Sequence, residues 1–209
     1  MEKNVSRNEM TQKLNHLRIP YCFNNQKYSE EKLKFIIVGD NPGEMEYKEN
    51  KFFFGPSGQK LRGYFHDFDL CDNFETECII FNKTFIHTHR TKGLESIKEK
   101  TGEHLFNIIL ENCAIEIAFI CTKLSLPILI FGKSQLGVKL LFDAFWRKLN
   151  SEIDNKENIL VFNHPSFLNF EKEWTKYKKE LSYRNNLDLL KQIGKINTQK
   201  INYKYSKFA

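Results

Sequence analysis

A short run of β-prone residues that ends at a glycine constrains this chain more than any other feature. Residues 35–38 read Phe-Ile-Ile-Val, and residues 39–43 follow with the sequence Gly-Asp-Asn-Pro-Gly. The pattern predicts a buried strand that runs into a loop at Gly39. Open α/β sheets bind their ligands at the carboxyl ends of the strands. Asp40 and Asn41 therefore lie where functional side chains are expected.

A second group of small residues follows this loop. Residues 52–58 read Phe-Phe-Phe-Gly-Pro-Ser-Gly, and apolar side chains then recur three, four and seven positions after Leu61. The spacing predicts a helix over 57–68 with Ser57 as its N-cap. Because a helix N-terminus that follows small residues binds anions well, a DNA phosphate suits this position.

Three later apolar runs have the same form as the first. They cover residues 77–82, 126–132 and 158–162, and helical patterns at 102–124, 133–149 and roughly 171–192 alternate with them. Such alternation predicts an α/β fold, a three-layer α/β/α sandwich around a central four-stranded parallel sheet. The strands end near Gly39, Asn82, Gly132 and His164, so their polar loops converge at one edge of the sheet.

Length and composition fit one folded domain. The chain has 209 residues, of which 41% are hydrophobic, and this composition excludes a disordered protein. We expect a single α/β domain over residues 1–194 and a basic C-terminal tail over 195–209.

The positive charge is concentrated at the C-terminal end. The formal net charge is +6, and residues 170–209 contain ten Lys or Arg against four Asp or Glu. The first 169 residues are therefore balanced. A basic segment of this kind attracts polyanions such as nucleic acid, although a solvated helix and tail would have the same composition.

Cysteine usage and the N-terminus indicate the compartment. The five cysteines include no Cys-X-X-Cys pair, and no signal-peptide pattern or apolar run of membrane-spanning length is evident. We therefore expect reduced thiols, a cytoplasmic location, no membrane partner, no metal and no cofactor.

The motifs together resemble the uracil-DNA glycosylase superfamily. The Gly-Asp-Asn-Pro-Gly loop is similar to that of the mismatch-specific and single-strand-selective members, which carry Asn at the position of Asn41. Residues 53–58 are similar to the thermophile-type members, which place an acidic residue at the position of Asp40. Asn82 after a strand and the His-Pro-Ser sequence at 164–166 match the other half of the site. The cysteine spacing lacks the pattern with which the thermophile type holds an iron–sulfur cluster, so we expect no cluster.

The resemblance implies a role for each of these residues. A target base must be flipped out of the duplex into a pocket. Phe53 would stack on the base, and the Asn82 carboxamide would pair with N3–H and O4 of uracil. His164, as a neutral imidazole, would donate to the negative charge that develops on O2.

Two neighbouring residues compete for the role of positioning the attacking water. Asp40 can do so as a carboxylate that also stabilises the cationic sugar, and Asn41 can do so through its carbonyl. We favour Asn41, because the Gly-X-Asn-Pro-Gly pattern matches completely. No lysine suggests itself as a nucleophile, so we expect a monofunctional enzyme that leaves an abasic site.

Other positions concern DNA contacts and specificity. Pro56, Ser57, Gly58 and Ser166 would contact the DNA backbone, and Phe167 with Leu168 would form an apolar wedge that fills the gap left by the flipped base. Gly43 replaces the tyrosine with which uracil-specific members block a C5 methyl group. The predicted loop 83–101 carries His87, His89 and Arg90, which would line an enlarged pocket, bind phosphate or be solvated.

Three functions stay open at this point. The first is a monomeric DNA glycosylase that excises uracil or a C5-modified relative in base-excision repair. The second is a glycosylase for a bulky hydroxymethylated or glucosylated cytosine in phage DNA, which would serve anti-phage defence. The third is a non-catalytic DNA-binding protein on the same fold.

Overall fold

A parallel sheet forms the centre of the molecule. The computed structural model describes residues 6–207. Its strands are β1 (Phe35–Gly39), β2 (Cys78–Asn82), β3 (Ile128–Phe131) and β4 (Ile159–Phe162). They run parallel in the order β2-β1-β3-β4, so Gly39 at the end of β1 lies between the ends of its two neighbours.

Helices flank this sheet. They are α1 (Arg7–His16), α2 (Glu44–Glu49), α3 (Pro56–Asp67), α4 (Phe74–Glu77), α5 (Gly93–Thr101), α6 (Glu103–Leu124), α7 (Asp143–Glu152), α8 (Asn169–Glu180) and α9 (Asn186–Ser206).

The side chains of β1 alternate between two cores. Ile36 and Val38 belong to a core that includes residues of α1, α5, α6 and α7. Phe35 and Ile37 belong to a second core with residues of α3, α4, α8 and α9. Both faces of the sheet are therefore covered, which explains why the strands read as continuous apolar runs. The predicted α/β sandwich with a four-stranded parallel sheet is confirmed.

Two predicted helices differ from the structure. The pattern over 133–149 becomes a 3₁₀ turn at Lys133–Gln135 followed by α7, because Gly137 (φ 153°) and Lys139 (φ 61°) adopt backbone conformations that end a helix. The pattern over 171–192 divides into α8 and α9. The predicted loop 83–101 also forms a helix in its last part, α5.

Residues 195–206 of the predicted basic tail form the second half of α9. Asn197 and Thr198 are buried there, and they donate to the backbone oxygens of Val161 and Ile159 in the edge strand β4 at 2.9 Å each. Residues 1–5 and 208–209 of the predicted domain and tail lie outside the described residues.

Helix α6 corrects the expectation that no segment has membrane-spanning length. It is long and apolar enough to cross a membrane, and half of its most apolar window is buried inside the molecule. A helix that packs into a protein core passes the same test, and α6 contributes nine buried residues between β-sheet and neighbouring helices.

Candidate active site

A cavity of about 700 Å³ opens at the carboxyl ends of β1 and β2. Of the twelve residues predicted for the site, eleven line it: Asp40, Asn41, Gly43, Phe53, Pro56, Ser57, Gly58, Asn82, His164, Ser166 and Phe167. Leu168 does not line it. The structure thus brings the separate motifs together, while their individual roles stay predictions.

Asp40 is held by a lysine that the sequence analysis missed. Lys83 Nζ forms an ion pair with Asp40 Oδ1 and donates to the backbone oxygen of Phe131 at 2.5 Å. Thr91 Oγ1 donates to the other carboxylate oxygen, Oδ2, at 3.3 Å. A Cβ at Gly132 would collide with Oδ1, so the carboxylate fits closely against this glycine.

Asn41 is fixed through its amide nitrogen. Its Nδ2 donates to Thr88 Oγ1 at 2.9 Å and to the backbone oxygens of Thr88 and Pro42 at 3.2 Å each. Since an amide carries two donor hydrogens and one carbonyl oxygen, these contacts occupy the donor side. The carbonyl oxygen is left to accept a hydrogen bond from the cavity.

The Asn82 carboxamide lies at the end of β2 and lines the cavity. Its Nδ2 is buried and has no hydrogen-bond partner within residues 6–207. Its Oδ1 and the ring of Phe53 lie so close to Gly39 that a Cβ at that glycine would collide with both. The absence of a side chain at position 39 therefore lets the carboxamide and the aromatic ring meet at the end of β1.

Phe53 is positioned by its backbone. The residue has φ 52°, and its carbonyl accepts from Arg62 Nη1 at 2.5 Å and lies against Gly58, where a Cβ would not fit. Gly58 belongs to the first turn of α3. The N-cap of this helix is Gly55 with Pro56 at the first helical position, so the predicted N-cap Ser57 is wrong by two residues.

His164 follows β4 and points one ring nitrogen at Ser166. Its Nδ1 lies 2.8 Å from Ser166 Oγ and accepts from the Ser166 backbone N–H at 3.2 Å. Burial lowers the pKa of His164, Asp40 opposes this shift, and Lys83 adds to it. Because Nδ1 accepts a hydrogen bond, a neutral ring carries its proton on Nε2. The arrangement supplies an uncharged donor.

A family model of the uracil DNA glycosylase superfamily matches residues 26–188. The chain belongs to this superfamily. The matched range holds the four strands and all twelve predicted site residues. Members of the superfamily are generally DNA glycosylases. A search among curated proteins finds no match.

Glu46 is a further cavity residue that the sequence analysis did not single out. Its Oε2 accepts from the Gly43 backbone N–H at 2.5 Å, and the backbone N–H groups of Phe53 and Phe54 also favour the charged carboxylate. Burial raises the pKa of this carboxyl group in spite of these hydrogen bonds. Glu46 thus ties the two glycosylase motifs of this superfamily member to each other.

The segment 83–95 divides into buried and cavity-lining residues. His87 is buried, stacks on Tyr47 at 4.6 Å between ring centroids, and donates from Nδ1 to the Pro42 oxygen at 2.9 Å. It supports the site loop and does not line the cavity of about 700 Å³. His89 and Arg90 line that cavity, and all three residues line a neighbouring one of about 660 Å³.

The predicted wedge has an unusual backbone. Phe167 and Leu168 both have positive φ angles, 53° and 58°, which are rare for bulky side chains. Phe167 is 82% exposed and Leu168 42% exposed. Phe167 lines the cavity and Leu168 does not, and an exposed apolar side chain in such a strained turn beside a cavity is typical of a functional constraint.

The side chains that could bind a metal ion or an iron–sulfur cluster are His, Cys, Asp and Glu. All five cysteines are free and buried. Within residues 6–207 no group of three or more His, Cys, Asp or Glu side chains is arranged to hold a metal ion.

Proposed function

We propose that this protein is a monofunctional DNA glycosylase, which flips uracil or a C5-modified pyrimidine out of DNA and hydrolyses its N-glycosidic bond. The observation that carries the proposal is the content of one cavity. There an unpaired buried amide (Asn82), a neutral imidazole (His164) and an ion-paired carboxylate (Asp40) occupy the ends of three different strands.

The base edge is recognised by Asn82. A buried N–H without a partner costs about 1–3 kcal/mol, and a carbonyl such as O4 of uracil would satisfy it. The neighbouring Oδ1 accepts from N3–H. Phe53, fixed through Arg62 and Gly58, provides the flat surface on which the base stacks.

The leaving base is stabilised by His164. Cleavage of the N-glycosidic bond puts negative charge on O2 of the base, and Nε2–H of a neutral imidazole donates to it. The bond from the Ser166 backbone to Nδ1 selects the tautomer in which Nε2 carries the proton. Ser166 therefore acts through His164 in addition to any contact with the DNA backbone.

The attacking water has two candidate partners. Asn41 offers one neutral carbonyl oxygen, because Thr88 and Pro42 hold its amide nitrogen. Asp40 offers a carboxylate held by Lys83 and Thr91, and a negative charge also stabilises an oxocarbenium-like sugar. These contacts favour Asp40 as the water-positioning residue, with Asn41 in support.

The test is a glycosylase assay on labelled oligonucleotides that carry uracil, 5-hydroxymethyluracil or glucosylated hydroxymethylcytosine. Each substrate is used single- and double-stranded with EDTA present, and alkaline treatment reveals abasic sites. We expect strand breaks that Asp40→Asn and His164→Ala greatly reduce. Unchanged breaks in both variants would refute the proposed chemistry, and tight DNA binding without any breaks would favour a non-catalytic binding protein.

A second substrate class is favoured by the open position at Gly43. A Cβ there would meet only Glu46 Oε2, at an ordinary 3.5 Å, so the site has room for a side chain that the sequence does not supply. The cavity of about 700 Å³ continues toward His89 and Arg90 and is larger than a pyrimidine needs. A bulky hydroxymethylated or glucosylated cytosine in phage DNA would fill this space.

The two substrate classes can be separated with Gly43→Tyr. If C5 substituents enter beside Gly43, this variant keeps its activity on uracil and loses activity on the larger bases. Gly43→Ala is the matched control, because its methyl group fits at ordinary contact distance. Equal loss on all bases would argue against this location for the substituent.

A further inference from the structure

Lys83 is the most deeply buried charged side chain near the cavity. The residue follows Asn82 at the end of β2, and its side chain is fully buried. Its Nζ reaches past the end of β1 to the backbone oxygen of Phe131 in β3. The ammonium group also lies 5.0 Å from the ring centre of Phe142. The side chain thus connects the ends of three adjacent strands underneath Asp40.

Burying the Lys83 ammonium group costs free energy, and favourable packing of the side chain does not account for its presence here. Removing a lysine ammonium from water is unfavourable unless it is paired and hydrogen-bonded. Burial lowers the pKa of Lys83, and the charge and hydrogen bond of Asp40 oppose the shift. Within residues 6–207, the carboxylate that pairs with this ammonium is that of Asp40, and Asp40 lines the cavity.

Lys83 is not placed to attack the sugar. Its Nζ is enclosed by Asp40, the Phe131 oxygen and the Phe142 ring, and the residue does not line the cavity. A lysine that forms an imine with C1′ needs direct access to that carbon. Of the paired groups, only the Asp40 carboxylate belongs to a residue that lines the cavity.

We infer that Lys83 is the positioning residue of this site, which holds Asp40 in one orientation with its charge compensated, so that the carboxylate can act on the water and the sugar. Lys83 fixes Oδ1 from below, Thr91 holds Oδ2, and Gly132 leaves the room in which the carboxylate sits. The inference rests on the proposed glycosylase function, in which Asp40 acts on the attacking water and the sugar.

The first test is a mutant cycle with Lys83→Met, Asp40→Asn and the double variant. We expect Lys83→Met to lower the single-turnover rate about 10- to 100-fold, because a displaced catalytic group loses its alignment. Binding of DNA that contains non-cleavable 2′-fluorodeoxyuridine should stay unchanged. The double variant should be no slower than Asp40→Asn alone, and it should fold even if Lys83→Met does not, because no unpaired charge is left.

Lys133→Met is the matched control. Lys133 also pairs with a buried carboxylate, Glu173, and neither residue lines the cavity. We expect this variant to melt at a lower temperature and to keep its single-turnover rate. Equal rate losses in Lys83→Met and Lys133→Met, or additive losses in the double variant of Lys83 and Asp40, would overturn the inference.

The second test does not need glycosylase activity. Lys83 lowers the pKa of His164 and Asp40 raises it. The pKa of His164 measured by NMR titration should therefore be higher in Lys83→Met and lower in Asp40→Asn than in the wild-type protein. Other charged side chains around the cavity, Glu44, Glu46, His89 and Arg90, are the same in both variants. If the wild-type protein cleaves no base, the proposed function fails, and the titration still reports whether the pair is charged beside His164.

Borohydride reduction during turnover completes the test. We expect no covalent complex between the protein and DNA. A trapped complex that requires Lys83 would show that this lysine is a nucleophile, and it would overturn the positioning role.

Discussion

Two lysine–carboxylate pairs of the described structure, Lys83 with Asp40 and Lys133 with Glu173, differ in how completely the carboxylate is satisfied. Glu173, in α8, accepts from Lys133 Nζ at 2.5 Å and Asn197 Nδ2 at 3.0 Å through Oε1. Its Oε2 accepts from the backbone N–H of Asn163 at 2.9 Å. The side chain is 3% exposed. Each of its oxygens is engaged by the fold.

Asp40 has a sparser environment. Among the described residues it accepts from Lys83 and, at the longer distance of 3.3 Å, from Thr91, and it lines the cavity. A carboxylate has about four acceptor positions, so Asp40 keeps capacity for water or substrate. We infer that such a pair serves stability where the hydrogen bonds of its carboxylate are complete, as at Glu173, and supports the proposed site where they are not, as at Asp40.

The largest effect is expected for Glu173→Ala on stability. Removing one partner of a buried pair leaves the other without compensation and costs about 3–5 kcal/mol. Here Lys133 and Asn197 lose their shared acceptor, and the Asn163 N–H loses its only side-chain partner in the described structure. Urea unfolding measures the free energy. The partial exposure of Lys133 places the value at the lower end, and a cost below about 1 kcal/mol would contradict the difference between the two pairs.

The next effect concerns turnover. Asp40→Asn should reduce the single-turnover rate about 10²- to 10³-fold, since it removes a charge that acts on the transition state. Glu173→Gln, which removes the same charge from the other pair, should change the rate only a few-fold at temperatures well below melting. A larger rate loss in Glu173→Gln than in Asp40→Asn would reverse the assignment of the two pairs.

A third prediction is a change in the pH dependence of stability. The pKa of Lys83 is lowered by burial below its ordinary 10.5, so the folded state binds fewer protons than the unfolded state in the window below that value. Stability therefore rises with pH through this window and is lost as pH falls. Asp40 opposes the shift, and Asp40→Asn should widen the window toward lower pH.

Unfolding free energies at several pH values between about pH 7 and pH 9 check this prediction. Asp40→Asn should gain more stability across the range than the wild-type protein. Glu173→Gln is the control, because Lys133 is 31% exposed and can be hydrated. Parallel curves for Asp40→Asn and the wild type would contradict a charged Lys83 beneath the cavity.

The site motifs could be predicted from the sequence because each is a local signal. An apolar run that ends in Gly39, Asn82 or the loop before His164 reports a strand end, and parallel topology then brings the ends together. Lys83 was missed because its partner is 43 positions away in the chain. A lysine directly after a strand is typical of a polar, solvent-exposed loop, and only the tertiary structure shows that this one is buried.

The C-terminal helix was missed for a related reason. A sequence rich in Lys, Asn and Tyr suggests a solvent-exposed segment. Helix α9 nevertheless buries Asn197 and Thr198 together with Ile193 and Ile201 at helical spacing. The two polar side chains are stable there because they hydrogen-bond to the edge strand β4. Composition does not reveal which polar groups have a backbone partner in the fold.

The smallest effect is expected for the auxiliary hydrogen bond at each pair. Thr91→Val removes the 3.3 Å contact to Asp40 Oδ2, and one such bond contributes about 0.5–1.5 kcal/mol, which corresponds to a rate loss of about 2- to 10-fold. Thr91→Ser keeps the hydroxyl group and should restore the rate. Asn197→Ala, at the second pair, removes hydrogen bonds to Glu173, Val161 and Lys133, and it should lower the melting temperature and leave the rate unchanged.

The opposite result would also be informative. If Thr91→Val altered stability and not rate, Asp40 would be a structural carboxylate like Glu173, and Asn41 would then be the residue that positions water. Thr91→Val and Asn197→Ala thus test the difference between the two pairs with little risk of misfolding, because neither variant removes a charge from a pair.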